Sequence, residues 1–350
     1  MKKKKFSLSD LMRSKITWAV IAELLILLVC FIIRPEFFSI SYQPTTGMLY
    51  GSLIDILNRS AEITIIAMGM TLVIALGGTD LSVGALVAVS GAIALKFLRW
   101  DVSAYPTPGD YTIYPFVLVL LVPLAVCTLM GLFNGVMIAN VGMQPIIATL
   151  ILMVAGRGVA QILTNGKQFT TLYTPFRFIG QGSLFCLPMP IVISAIVVAA
   201  VALFTRKTAF GTMVESVGIN PSASRLSGIN AKAVILIVFA LTGLLSGIAG
   251  LIYSSRIMSN DSNNAGLNYE MDAILAVVIG GASLMGGRFN LLLSVVGALI
   301  IQGMNTGILL SGFPPELNQV VKAVVVLCVL IVQSPRFIGL LKGVRGHDKT

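Results

Sequence analysis

Nine polar side chains interrupt long apolar runs: Glu23, Glu62, Asp80, Asn134, Gln144, Arg157, Asp272, Asn305 and Lys322. Such groups are costly in hydrocarbon unless they find partners or a wet cavity. Their types limit the chemistry open to them. Carboxylates could carry protons or sodium, and cations could hold anions or serve as paired structural charges. Neutral amides suit hydroxyl-rich solutes. Asp80 could instead cap a helix beginning at Leu81, its carboxylate accepting from free backbone N–H groups. Asp272 could stabilise a helix start in the same way. Arg157 and Lys322 could be structural pairs. Asn134 and Asn305 each lie within or beside a GxxxG spacing, where a packed interhelical hydrogen bond competes with solute contact.

Other chemistry is excluded or unsupported. The single histidine, His347, sits in a polar tail, so a histidine relay or Ser/His pairing has no basis. HExxH and GxxxxGK[ST] are absent. The four cysteines (Cys30, Cys127, Cys186, Cys328) are far apart and form no CxxC, which argues against a zinc site or a disulfide framework. The expectation is no catalytic residue, no metal site and no enzyme activity in this chain. A net charge of +10 would suggest nucleic acid in a soluble protein, but here it reads as cations on membrane-flanking loops.

The elements that must position these residues are membrane spans. Hydrophobic residues make up 56% of the 350, and with Tyr left out and the 34 glycines counted in, the apolar share exceeds 60%. Ordinary soluble domains reach roughly 45–50% on that count. Ten apolar segments are expected at 16–33, 60–76, 81–98, 115–139, 145–164, 188–205, 233–253, 271–284, 291–310 and 317–333. The eighth is short and ends in glycines, as a half-membrane or broken helix would. The predicted class is an all-α polytopic membrane protein with both termini cytoplasmic. That orientation places 15 of the 24 Lys and Arg inside and six outside. Residues 2–5 imitate a signal-peptide n-region, but the run that follows is too long and lacks an AxA-like site, so an uncleaved first span is expected. The chain divides into a basic cytoplasmic N-terminus (1–15), a transmembrane domain (16–333) and a cytoplasmic tail (334–350). The inner loop 206–232 is the only cytoplasmic loop long enough to fold.

Glycines add two signals. Helices in lipid associate through small residues, and GxxxG spacings occur at Gly131–Gly135, Gly243–Gly247 and Gly303–Gly307. The segments Gly77-Gly78-Thr79-Asp80-Leu81-Ser82-Val83-Gly84 and Gly280-Gly281-Ala282-Ser283-Leu284-Met285-Gly286-Gly287 both fit GGxxLxxG. Each joins two apolar segments, which suggests an internal repeat with helices broken near a solute path.

Three blocks carry a family resemblance. Gly77 to Gly84 looks like the GGIDLSVG signature of permease subunits of bacterial ABC importers for monosaccharides, the ribose, arabinose and galactose type. The stretch from Arg206 through Val217-Gly218-Ile219-Asn220 to Ala223-Ser224-Arg225-Leu226-Ser227-Gly228 resembles that family's cytoplasmic coupling loop. Asp272 to Gly287 resembles a third signature. Similarity extends over nearly the whole chain from about residue 50. It is strongest toward galactofuranose importers, through Ser52-Leu53-Ile54-Asp55 and 283–333. Glu62, where a small or apolar residue is expected, departs from the pattern.

The resemblance implies a pair of identical or similar permeases around one path in the bacterial inner membrane. It also implies an ATP-binding cassette ATPase on the cytoplasmic face and a periplasmic sugar-binding protein outside. ATP and Mg would belong to the ATPase, with no cofactor in this chain. The coupling loop would supply the ATPase contact through Gly211, Glu215, Gly218, Asn220, Ala223, Arg225, Leu226 and Gly228. One short helix is expected at 216–226, with Asn220 as N-cap, Pro221 at the first helical position and Gly228 beyond its end. The path or its gates would use Gly77, Gly78, Asp80, Asn134, Gln144, Arg157, Asp272, Gly280, Gly281, Asn305 and Lys322. Rival readings are an ABC permease for an amino acid, nucleoside or signalling sugar, or an ion-coupled secondary carrier.

Overall fold

A computed structural model describes residues 24, 28, 31–32, 35–43, 47–98, 114–310, 319–324 and 327. The described residues are mainly helical: α1 Ser52–Ala75, α2 Val83–Leu98, α3 Phe116–Ala139, α4 Pro145–Thr164, α5 Thr174–Gln181, α6 Met189–Lys207, α7 Phe210–Ile219, α8 Pro221–Leu226, α9 Ala231–Ile257, α10 Tyr269–Ile279 and α11 Leu291–Leu310. Six of them, α1, α3, α4, α6, α9 and α11, are long and apolar enough to cross a membrane, and α2 is a shorter apolar helix. The expected spans two to nine each coincide with one helix. Most of the first and tenth spans, both termini and the 99–113 loop lie outside the described residues.

Helix ends follow local chemistry. The bounds of α4 agree with the expected span because Pro145 occupies its first turn and Asn165, at φ 53°, closes it in the left-handed region. By contrast α1 begins eight residues before the expected 60, through polar turns carrying Asp55, Asn58 and Arg59. Hydropathy alone marks where hydrocarbon begins, whereas the helix continues into the interface. Helix α10 has 11 residues, a rise of only about 16 Å, half of a hydrocarbon core. The eighth span is therefore too short to cross hydrocarbon as one helix, as its length in the sequence suggests.

Helix α1 is the axis of the core. Every residue from Ser60 to Ala75 is buried, with Ile65, Ile66, Met68, Met70, Leu72 and Ile74 fully enclosed. It lies against α6, α9, α10 and α11. A helix apolar all round belongs inside a bundle. The broadest contact between two helices joins α3 and α9, and two GxxxG spacings meet there. A Cβ placed on Gly131 would lie 3.0 Å from Gly243 Cα, and one on Gly247 would lie 3.1 Å from Cys127 Cβ. The apolar faces of α3, α4 and α6 that remain open suit contact with lipid or another helix.

Three antiparallel two-stranded ribbons were not anticipated. They pair β1 (Ser41–Gln43) with β2 (Met48–Tyr50), β4 (Ser183–Leu184) with β5 (Leu187–Pro188), and β3 (Phe169–Thr170) with β6 (Ser259–Asn260). With α5 they gather at the end of the molecule that the charge pattern assigns to the outside. They occupy the loops rich in Pro, Gly and aromatics, where no period-2 run is long enough to announce a strand.

The α3–α9 contact is testable. Gly243→Ala should destabilise the protein by about 1–3 kcal/mol through overpacking, read as a lower thermal midpoint in detergent. Gly243→Leu should abolish the monodisperse folded fraction.

Candidate coupling and translocation site

Both glycine-rich segments terminate a helix in the same way. After α1, Gly77 N–H donates to Ile74 O at 2.9 Å and Gly78 N–H to Val73 O at 3.1 Å. After α10, Gly281 N–H donates to Val278 O at 2.8 Å and Ala282 N–H to Val277 O at 3.2 Å. These are paired Schellman bonds, and they require a left-handed residue at the first position past the cap. Gly77 at φ 78° and Gly281 at φ 84° supply it. The two segments thus share a turn, displaced by one residue from the match of letters: Gly77 corresponds to Gly281, and Gly280 is the cap of α10. The same ending also closes α4 and α8, so it does not by itself establish an internal repeat.

The two turns face each other. Gly287 N–H donates to Ala75 O at 2.8 Å, so the orphan carbonyl at the end of α1 is satisfied by the other turn. A Cβ on Gly286 would lie 2.9 Å from Gly77 N. On the α4 side, a Cβ on Gly78 would lie 3.2 Å from Pro145 Cβ. Gln144 precedes that proline, is exposed and makes no side-chain cap bond.

Asp80 stands in the break between α1 and α2, but α2 begins at Val83 and not at Leu81, so its carboxylate does not cap the helix as expected; it orders the break itself. Its Oδ1 accepts from Ser82 N–H at 2.9 Å and from the Ser82 hydroxyl at 2.6 Å. Asn134 Nδ2 on α3 donates to the same hydroxyl at 3.0 Å. All three side chains are fully buried. Asp80 Oδ2 and Asn134 Oδ1 are buried with no hydrogen-bond partner among the described residues. This network fastens the break to α3; its polar atoms do not open onto the surface of the chain. Asn305, on α11, is half-buried with its Oδ1 in the same situation.

The intramembrane charges are engaged. Lys322 Nζ donates to both carboxylate oxygens of Asp272 at 2.7 and 2.8 Å. Asp272 also stands in the first turn of α10, so its two readings hold together. Among the described residues, Arg157 has no carboxylate in hydrogen-bond contact. Its Nη1 donates to the carbonyls of Ser262, Asn263 and Ala265 at 3.2, 3.3 and 2.5 Å, clamping α4 to the loop before α10. Glu62, fully buried on α1, pairs with Arg256 in the last turn of α9, and Arg256 Nη1 also donates to Asn58 O at 3.2 Å. Arg256 lies beyond the expected seventh span, 233–253, because α9 runs on to Ile257. Only its pairing accounts for the unexpected Glu62. Glu270 went unnoticed in the sequence: its Oε2 is buried against Gly84 with no hydrogen-bond partner among the described residues. Its place beside Asp272 in the first turn of α10 was the available signal. Among the described residues, no three His, Cys, Asp or Glu side chains gather as a metal site would need.

The 206–232 segment folds as two helices, α7 and α8, in place of the single expected helix 216–226. Asn220 causes the break. It ends α7 in an extended conformation and caps α8, its Oδ1 accepting from Ala223 N–H at 3.0 Å. Pro221 then follows at the first helical position, where its missing N–H costs nothing. Gly228, at φ 85°, closes α8, with Gly228 N–H donating to Arg225 O at 3.1 Å and Ile229 N–H to Ser224 O at 3.0 Å. Ala223, Arg225 and Leu226 are exposed, Leu226 to 91%. The other face of the element is packed. Gly211 backs onto the end of α6 at Thr205. Glu215 Oε1 accepts from Phe289 N–H at 3.4 Å. Gly218 lies directly on the two turns, where an added Cβ would be 2.9 Å from Gly287 N. The structure thus brings Gly77, Gly78, Gly218, Glu215, Gly280 and Gly281 to one end of the molecule, with Asp80 and Asn134 adjoining. Arg157 stands apart from them.

Comparison with known proteins places this arrangement. The family described as branched-chain amino acid transport system / permease component matches residues 52–330. The chain belongs to this permease family. It is 54% identical to the galactofuranose transporter permease protein YtfT of Escherichia coli (strain K12), over 95% of this chain and 93% of that one. It is 40% identical to the fructose import permease protein FruF of Bifidobacterium longum, over 93% of this chain and 89% of the relative. The ribose import permease protein RbsC of E. coli (strain K12) is 35% identical over 91% of this chain and 93% of its own length. No solved structure matches the chain. The permease is a multi-pass membrane protein, as its apolar helices require.

The ion pair on α10 gives a direct test. Asp272→Asn leaves the half-buried Lys322 uncompensated and should cost about 3–5 kcal/mol, measured by thermal unfolding in nanodiscs. Asp272→Asn with Lys322→Gln should recover much of that loss.

Proposed function

We propose that this permease is the membrane-spanning subunit of an ATP-driven importer in the bacterial inner membrane. It moves a monosaccharide, galactofuranose or a related pentose or hexose, from periplasm to cytoplasm by alternating access. The observation that carries the reading is the α7–α8 element. Its outer side presents Leu226, a large apolar side chain left almost fully open, and its inner side is seated on the turns that break the bundle. With its inner face packed and its outer face open at Ala223, Arg225 and Leu226, the element is placed to meet a partner, and this loop is the one long enough to meet an ATPase. Two permeases, identical or similar, would enclose the path, with ATP and Mg held by the cassette subunits and a sugar-binding protein docked outside.

Cargo class follows from charge. An amino acid would require a free counter-charge in the path. Lys322 is neutralised by Asp272, and Arg157 is committed to backbone carbonyls. Neither cation is left free to hold a charged solute, and a neutral sugar needs none. The sugar named for each relative above agrees. The ion-coupled carrier is less well supported, because Glu62 and Asp272 are each held by a cation.

The test is reconstitution of the chain with its cassette ATPase, second permease and binding protein in proteoliposomes. Uptake of labelled galactofuranose should require ATP, exceed that of leucine, and be unaffected by collapsing ion gradients. Gradient-driven uptake without ATP would overturn the reading. Asn220→Ala removes a cap worth about 1 kcal/mol. It should lower ATP-driven uptake while leaving membrane insertion intact.

A further inference from the structure

The Schellman turns and α7 meet through backbone alone. Gly287 N–H reaches Ala75 O at 2.8 Å. A Cβ on Gly218 would fall between those same two residues, 2.9 Å from both Ala75 C and Gly287 N. A Cβ on Gly286 would lie 2.9 Å from Gly77 N and 3.0 Å from Gly218 O. Three segments far apart in sequence therefore touch main chain to main chain, with no side chain between them to absorb a displacement. Packed interfaces of this kind are bistable and do not deform continuously. Each turn also joins a broken pair: α1 runs into α2, and α10 leads to α11.

We propose that Gly218 is the joint of the importer: seated on the Ala75–Gly287 bond, it obliges both glycine turns to shift together whenever α7–α8 is moved from the cytoplasm. This deepens the importer reading and rests on it. Gly218 is a positioning residue, touching neither solute nor nucleotide. The turns are tied to α3 through Asp80, Ser82 and Asn134 and to α10, so one displacement reaches both broken helix pairs. Movement by whole backbone segments explains why the contact is built from Gly77, Gly218, Gly286 and Gly287.

The experiment uses the full complex in proteoliposomes and reads sugar moved per ATP hydrolysed, a ratio that a loss of folded protein leaves unchanged. Gly218→Ala should lower this ratio in complexes that still copurify with the ATPase. An unchanged ratio would overturn the joint. A second arm covers the case in which that variant does not assemble. A Cβ on Gly287 would lie 3.3 Å from Ile219 Cγ1, so Ile219→Cys with Gly287→Cys can be bridged in a chain whose four native cysteines are replaced by alanine. Because α7 and the turn move as one, bridging with diamide should leave ATP-driven uptake at the level of the same variant reduced with dithiothreitol. Arrest of uptake by the bridge, reversed by dithiothreitol, would show that the two segments must slide past each other and would refute the joint while leaving the importer reading intact. Absence of ATP-driven uptake in the unmodified complex would instead overturn the importer reading itself.

Discussion

The hydrogen bond from Gly287 N–H to Ala75 O answers the constraint on which this fold depends. A backbone donor or acceptor buried away from water must find a partner within the protein. A helix end packed against other segments leaves carbonyls to be answered, and α1 and α10 both stop before a non-helical segment. Each closes two carbonyls with its own Schellman bonds, and α1 then relies on the opposite turn. The breaks are tolerated because they are paired with each other. That requirement brings α1, α10 and the segments leading to α2 and α11 to one place, and it leaves room there only for glycine.

The same logic governs charge. A lone ion in the bundle is costly, and truncating one partner of a buried pair is costlier than the pair itself. Glu62 with Arg256 ties α1 to α9, and Asp272 with Lys322 ties α10 to the segment around 322. Arg157 shows a third solution, in which carbonyls of an irregular loop supply the negative ends of their dipoles to a guanidinium. These contacts fasten the membrane-spanning bundle at points away from the glycine junction. The junction is held by main-chain bonds and by the Asp80–Ser82–Asn134 chain.

Much of this was legible in the sequence. Segments of sufficient apolar length marked spans two to nine, and Pro145, Asn220, Pro221 and Gly228 announced their ends and caps through the backbone geometry each one favours. What the sequence could not show is which distant residue answers each buried group. Glu62 looked like an anomaly because its partner lies 194 positions away. The likeness of the two glycine segments was visible as matching letters, yet matching letters put Gly77 opposite Gly280. The backbone puts it opposite Gly281, since what recurs is the need for one left-handed residue past a helix cap, and α10 uses its first glycine as the cap itself. The break at Asn220 was misread for a related reason. A residue that caps a helix has non-helical dihedrals, so it cannot also lie inside one, and α7 had to end where α8 begins.

That break gives the α7–α8 element its form. A single helix over 216–226 would offer one face to everything around it. Two helices turned at Asn220 divide the work: α7 lays Gly211, Glu215 and Gly218 against the membrane-spanning bundle, and α8 holds Ala223, Arg225 and Leu226 outward. Asn220 itself is exposed, so the turn depends on its cap bond and on Pro221, with little packing to support it. A short helix held in this way keeps its direction relative to α7 as long as that cap is made. In the proposed importer a force on α8 would be delivered to α7 as a displacement, and the backbone on which Gly218 of α7 is seated is the carbonyl of Ala75.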